Sequence, residues 1–434
     1  MSRNSFKLND DMLLGVASAA TQIEGGNTPH SWNDWANKGH IKDDTSPSRA
    51  NNHYELWEED TDLMHQLGIG IYRFGIEWAR IEPKPGVYNQ EAIKYYQDEI
   101  ARLAGYGIKP LVTLHHFTNP MWFEEMGAFT KAENIKYFLS FVKEMVIAFG
   151  STVNEYITIN EPNVYATFGY FYGDWPPGER SFSKATKVMS VMVAAHIRAY
   201  RLIHRVRNRL GYDDTKVSFA NHMRVFDPVD SKNLVHVAAA KATERFFQGS
   251  LTKAMYLGEF SWPVSNVLNI PKGTYCDFIA LNYYTRSTVK GIADGTKAGA
   301  PVNDLGWEIY PEGIVRCAQK AYNILQAPIY ITENGTCDNA DSFRSRYIYE
   351  HLKKISESDL PFKRYYHWCF CDNFEWIEGE SARFGIVKID YETQERTVNK
   401  SGEFLSEMIK NEGVTDEMYD EFVRGCSYNY GGEV

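Results

Sequence analysis

Residues 134–162 read NIKYFLSFVKEMVIAFGSTVNEYITINEP, and a change of period inside this stretch decides the fold. Up to Phe149 the apolar residues recur every third or fourth position, which is an amphipathic helix, and Gly150 stops it. After a short polar turn, NEYITINE is an apolar, β-branched run too short for a helix, the mark of a buried strand. Helix followed by buried strand is one beat of an α/β rhythm.

Outward from this stretch the same beat recurs along the chain. The strand-like runs are MLLGVAS (12–18), IGIYRFGI (69–76), KPLVTLHH (109–116), NEYITINE (154–161), KVSFANH (216–222), CDFIALNYY (276–284), PIYITEN (328–334) and RYYHWCF (364–370), eight in all. Amphipathic stretches such as AIKYYQDEIARLAGYG (92–107) lie between them. Eight alternating units specify the α/β class and a single (β/α)8 TIM barrel over residues 1–411, with its site at the C-terminal ends of the strands. FGIVKIDYETQERTVNKSG (384–402) reads as a β-hairpin after the last barrel strand, leading into a helix over GEFLSEMIKN. Residues 412–434 are expected to form a C-terminal extension, either a docked helix or a loose tail.

Composition narrows the function classes. Of 434 residues 44% are hydrophobic and 24% charged, ordinary for a chain with a large core. The net charge of −10, from 46 basic and 56 acidic residues, argues against a nucleic-acid partner, since phosphates are bound by clustered Lys and Arg. Arg198, Arg201, Arg205, Arg207 and Arg209 fall at helical spacing and read as a solvated helix face. No apolar run is long enough for a membrane span, and the N-terminus lacks the apolar core of a signal peptide, so a cytoplasmic protein is expected. The six cysteines do not form a disulfide framework, and the Cys369-x-Cys371 pair lacks further ligands for a metal, so free, mostly buried thiols are expected. The residues call for no metal or cofactor, and they leave the oligomeric state open.

The strand exits carry the chemistry. Gln22 and Glu24 follow the first run, and Arg73 lies in the second. His115 and His116 end the third, Asn160 and Glu161 the fourth, Asn221 and His222 the fifth. Asn282 to Tyr284, Glu333 with Asn334, and Trp368 to Asp372 complete the ring. Glu161 and Glu333, on the fourth and seventh strands, face one another across a barrel mouth. Two facing carboxyls are what glycosidic-bond cleavage needs, one to protonate the leaving oxygen and one to act on the anomeric carbon. A strand-end glutamate is equally often a cap or an ion-pair partner, so position alone does not settle their role. Aromatic residues, 14% of the chain, crowd the same loops, where their faces could pack against sugar rings or simply fill the barrel.

Seven ordered blocks then sharpen the reading: SAATQIEG, YRFGIEWARIEP, TLHHF, TINEPN, LNYYT, ITENG, and WCFCDNFEW followed by RFG. Together they resemble glycoside hydrolase family 1, the β-glucosidase and β-galactosidase family, from LLGVASAATQIEGG to RTVNKSG. The resemblance implies a retaining, exo-acting β-glycosidase, foremost a β-glucosidase, acting on β-glycosides and short oligosaccharides, with transglycosylation as a graded property of the same intermediate. It implies Glu161 as acid/base and Glu333 as nucleophile, with Asn160 on the sugar 2-hydroxyl and Arg73 and Tyr284 tuning Glu333. A cation beside Glu333 would keep it ionised while Glu161 starts protonated. Gln22, His116, Glu375 and Trp376 would bind the remaining hydroxyls, and Trp368 would lie under the ring.

A carboxylate at Glu375 repels a phosphate on the 6-position, which disfavours the 6-phospho-β-glycosidase alternative. A catalytically silent sugar-binding protein on the same barrel would be expected to lack one of the two glutamates. An endo-acting glycanase would need the pocket open at its far end. The chain departs from the family pattern at Gly75 and Glu77, in a shortened first loop, and at Glu380, which puts the preferred sugar in doubt. Asn163, Asn221, Trp307 and the loop from Tyr165 to Trp175 are expected to border the aglycone region.

Overall fold

The computed structural model describes residues 4–291 and 293–431. Eight parallel strands close a barrel: β1 Leu13–Ala17, β2 Ile71–Gly75, β3 Lys109–Thr113, β4 Glu155–Asn160, β5 Lys216–His222, β6 Ile279–Asn282, β7 Ile329–Asn334 and β8 Phe362–Trp368. They follow one another in sequence order, and β8 pairs with β1 through Tyr366↔Gly15 and Trp368↔Ala17. Each falls within the run expected for it, give or take two residues at one end.

The helix before β4, Ile135–Phe149, buries Ile135, Phe138, Phe141, Val142, Met145, Val146 and Phe149 against the barrel wall. Gly150 ends it at φ +51°, in the left-handed region that favours glycine. Inside the barrel, Ile71, Leu111, Ile157, Ala280 and Tyr366 fill the axis. The floor holds a buried ion pair, with Arg364 Nη2 donating to Glu155 Oε1 at 2.7 Å.

The hairpin after β8 forms as expected, Val387–Ile389 against Arg396–Val398, and the helix Lys400–Asn411 follows. All six cysteines are free and five are buried. Among the described residues no helix is long and apolar enough to cross a membrane. The arginine cluster needs a correction. Arg198, Arg201, Arg205 and Arg209 are exposed on the helix Phe182–Arg209, but Arg207 is buried. Its guanidinium donates to the carbonyls of Gly150 and Val153 and to Thr215 Oγ1, fastening this helix to the turn before β4.

Several elements lie outside the barrel. Val225–Pro228 pairs with Arg286–Lys290, which pairs with Ala293–Gly295, giving a small sheet above the ends of β5 and β6. Gly413–Val414 pairs with Phe6–Lys7, Asp416–Phe422 is helical, and Asn429–Gly431 pairs with Ala300–Val302. Residues 432–434, the tip of the expected C-terminal extension, lie outside the described residues.

Candidate active site

The strand ends surround a cavity of about 320 Å³ at the barrel mouth. Its wall includes Glu161, Glu333, His116, Tyr284, Trp368, Glu375 and Trp376, seven of the ten site residues expected from the sequence. Gln22, Arg73 and Asn160 are fully buried behind that wall and reach it through hydrogen bonds.

Arg73, on β2, is the hub of this inner layer. Its Nη1 donates to Glu333 Oε1 at 2.5 Å and its Nη2 to Asn160 Oδ1 at 2.6 Å. Its Nε donates to Thr113 Oγ1 at 3.1 Å, so partners on β3, β4 and β7 fix one planar guanidinium. The second oxygen of Glu333 accepts from Tyr284 Oη at 2.6 Å. Gly335, just past β7, allows this end of the strand to sit against β8: a Cβ there would stand 1.8 Å from the Trp368 carbonyl oxygen.

Glu161 is held differently. Its φ is +43°, a left-handed conformation that a non-glycine residue adopts only where its surroundings enforce it, and Pro162 opens the helix Pro162–Ala166 directly after it. Asn282 Nδ2 bridges the two carboxyl networks, donating to Glu161 Oε1 at 2.8 Å and to Asn160 Oδ1 at 3.0 Å. His222 Nδ1 stands 3.0 Å from the same Glu161 oxygen. Arg224 Nε donates to His222 Nε2 at 3.0 Å, which leaves Nδ1 to carry the ring hydrogen and makes it a donor to Glu161. Both contacts converge on Oε1, leaving Oε2 free of protein partners among the described residues.

The electrostatics are set by burial and by these partners. Burial lifts Glu333 to about 7, Arg73 opposing it and the charge of Glu161 adding to it. Glu161 is held below its ordinary value: burial raises it, but His222, Asn282 and Arg73 together outweigh burial. The cation expected beside Glu333 is therefore present, and its pull on this carboxyl is smaller than the opposing effect of burial.

His116, Trp368, Glu375 and Trp376 line the cavity beside Gln22. Burial pushes Glu375 up to about 8, with the indole of Trp368 and the amide of Gln22 opposing and the charge of Glu333 adding. Gln22 Nε2 donates to Glu375 Oε2 at 3.2 Å and to the Phe374 carbonyl at 2.9 Å. Asn160 Nδ2 donates to His116 Nε2 at 3.0 Å, and burial keeps His116 neutral by driving its pKa well below the ordinary value. Among the described residues Gln22 Oε1 and His116 Nδ1 are buried without a protein partner, a costly state for polar atoms.

The other expectations divide. Phe168, Trp175 and Trp307 reach the cavity wall, but Asn163 and Asn221 do not: they are tied to the His222 carbonyl at 2.9 Å and to Thr252 Oγ1 at 2.9 Å. Glu380 is also off the wall, its amide donating to Asp43 Oδ2 at 2.7 Å. The nearby acid on the wall is Glu378, ion-paired to Lys42 at 2.6 Å. Sequence reading noted His222 and Asn282 as strand-end residues without giving them partners, and it missed Arg224.

Comparison with known proteins agrees with this geometry. The model of the family described as glycosyl hydrolase family 1 matches residues 4–414. A relative named beta-glucosidase A, from Thermotoga maritima, is 32% identical, covering 95% of this chain and all of its own length. A beta-galactosidase from Pyrococcus woesei is 30% identical over 96% of this chain and 99% of its own. Among solved structures, a beta-glycosidase from Pyrococcus horikoshii superposes with a TM-score of 0.86 at 33% identity, covering 96% of this chain and 98% of that one. The Thermotoga maritima beta-glucosidase in complex with glucoimidazole gives 0.85 at 30% identity, covering 94% and 100%. Matches of this extent span the barrel, the cavity and nearly all of both chains, and the chain belongs to glycosyl hydrolase family 1.

Proposed function

We infer that this protein is a retaining, exo-acting β-glycosidase that removes terminal non-reducing β-D-glycosyl residues by double displacement, with β-glucosides as its foremost substrates. The observation that carries this reading is the asymmetric hold on two facing glutamates: Arg73 and Tyr284 on Glu333, Asn282 and His222 on Glu161. Glu333 attacks the anomeric carbon as a carboxylate, and the bond to the aglycone oxygen breaks as Glu161 gives that oxygen its proton. Glu161, now a base, takes a proton from water, whose oxygen displaces Glu333 and restores the starting state. Free Oε2 of Glu161 is the atom suited to carry that proton. An acceptor sugar in place of water gives transglycosylation.

The cluster of His116, Trp368, Glu375 and Trp376 on the cavity wall supports recognition of a single terminal residue. Glu375 supports an unphosphorylated sugar, because its negative form repels a 6-phosphate. Relatives named for glucoside and galactoside cleavage support both sugars as substrates, with fucose a third to compare.

Replacing Glu333 with glycine tests the assignment. Turnover of aryl β-D-glucosides is expected to vanish, and azide is expected to restore it by giving the α-glycosyl azide. Retention of wild-type activity in Glu333→Gly would remove Glu333 from the mechanism.

A further inference from the structure

Arg224 is the one lysine or arginine on the cavity wall, among the described residues, and only part of it is used. Its backbone is clamped by the buried Gln248, whose Oε1 accepts from the Arg224 amide at 2.9 Å and whose Nε2 donates to the Arg224 carbonyl at 3.0 Å. The guanidinium carbon lies 5.4 Å from the centre of the Phe247 ring, and Nε is engaged by His222. Among the described residues no carboxylate is within ion-pair distance of it, and Nη1 and Nη2 have no hydrogen-bond acceptor.

This arrangement differs from an arginine that happens to lie on a surface. Two contacts hold the side chain and two hold its backbone, and what remains is a two-pronged donor on a residue that lines the cavity. The carboxylates of Asp294 and Glu161 act on this partly desolvated guanidinium only from beyond ion-pair distance, and a planar carboxylate is the group whose shape fits its fork. The fork stands on the Glu161 side of the mouth, through His222, and this is where the leaving group must lie. Phe168, Trp175 and Trp307 line the same cavity and supply aromatic faces for a flat group.

We propose that Arg224 forms an anion site for the aglycone, and that the preferred substrates are β-glycosides of aromatic acids, with the carboxylate bound by Nη1 and Nη2. The proposal rests on the β-glycosidase reading above and names the aglycone class that this reading leaves open. It also assigns Arg224 two separable duties: Nε orders His222, and the remaining donors select the leaving group. Loss of the first duty slows substrates according to how far their leaving group needs a proton, whereas loss of the second affects only anionic ones.

The experiment compares 3- and 4-carboxyphenyl β-D-glucosides with their neutral carboxamide counterparts, in the wild type and in Arg224→Met and Arg224→Lys. For the better-placed isomer the acid-to-amide ratio of kcat/KM is expected to be about tenfold or more in the wild type, the scale of a charge-assisted hydrogen-bond pair. It is expected to fall near unity in Arg224→Met, to be partly kept in Arg224→Lys, and to shrink with added salt. Because both substrates depend on His222 and Glu161 in the same way, the ratio cancels any general loss of activity. A wild-type ratio at or below unity for both isomers, or a preference that survives Arg224→Met, overturns the anion site. Should no glycoside be cleaved, the glycosidase reading fails instead. Calorimetric titration of the carboxyphenyl glucosides against the wild type and Arg224→Met then decides the anion site: tighter binding to the wild type supports it, and equal binding overturns it.

Discussion

Arg73 Nη1 meets Glu333 Oε1 at 2.5 Å, and the same guanidinium reaches Asn160 at 2.6 Å through Nη2. One rigid, fully buried group thus sets the distance between the carboxyl on β7 and the amide on β4 before any sugar arrives. Lysine at this position would keep the charge but could not hold both partners in one plane. Arg73→Lys is expected to lower kcat/KM on an aryl β-glucoside by about 100- to 1,000-fold, the scale of one preorganised donor. Steady-state kinetics check this, and a loss below threefold would show that the second contact is dispensable.

Tyr284 predicts a displacement of the pH profile. Its hydroxyl donates to Glu333 and opposes the burial that lifts this carboxyl to about 7. Tyr284→Phe removes the donor, so Glu333 accepts a proton at higher pH still, and the acid limb of kcat/KM moves upward. A downward move, or none, would place the donor's influence elsewhere.

Glu375 predicts a pH-dependent gain in stability. Below its ordinary value of 4.5 this carboxyl is protonated in both the folded and the unfolded chain. As pH rises from there toward about 8 the unfolded chain releases the proton more readily, so the folded state loses stability, and above about 8 the loss is complete. Glu375→Gln is neutral throughout and is expected to raise Tm by about 2 °C or more at pH 8.5, with little change at pH 4.5. Thermal scans at the two pH values check the difference, and a gain of equal size at both would point to packing. Activity is expected to fall in the same variant, since a sugar-binding acceptor is lost.

His222 predicts a leaving-group effect. Its Nδ1 holds Oε1 of Glu161, the group that protonates the departing oxygen. His222→Phe is expected to slow hydrolysis of alkyl β-glucosides about tenfold more than that of nitrophenyl β-glucosides, which leave without a proton. Equal losses across a series of leaving groups would assign His222 to cavity shape alone.

The barrel was legible because its strands are buried on both faces and so appear as near-continuous apolar runs, while the helices between them keep a 3.6-residue period. Glu161 and Glu333 stood out because they end two of those runs. The partnerships around them were not legible in the same way. Glu161 meets His222 and Asn282 only because β4, β5 and β6 close side by side, and register across a barrel leaves no local pattern. The small sheet beyond β5 was missed since its strands, Val225–Pro228, Arg286–Lys290 and Ala293–Gly295, are too short for an alternating signal. Arg207 misled for the converse reason: helical spacing marks a face, but the turn before β4 folds back over its end.

The pairing of Asn429–Gly431 with Ala300–Val302 extends to the cavity. Val302 bridges to Glu308, and Asn303 Oδ1 accepts from the amides of Leu305 and Trp307, so the loop that carries two wall residues is braced by the end of the chain. A chain ended at Arg424 is expected to show a KM for aryl β-glucosides raised about threefold or more, with kcat within about twofold, since binding contacts move and the reacting groups do not. Unchanged kinetics would show that the loop stands alone. Two homologues with identical cavities could thus sort the same mixture of glycosides differently through their last few residues. An affinity tag fused after Gly431 is expected to move KM in the same direction, since Asn429–Gly431 pairs with the strand that leads into this loop.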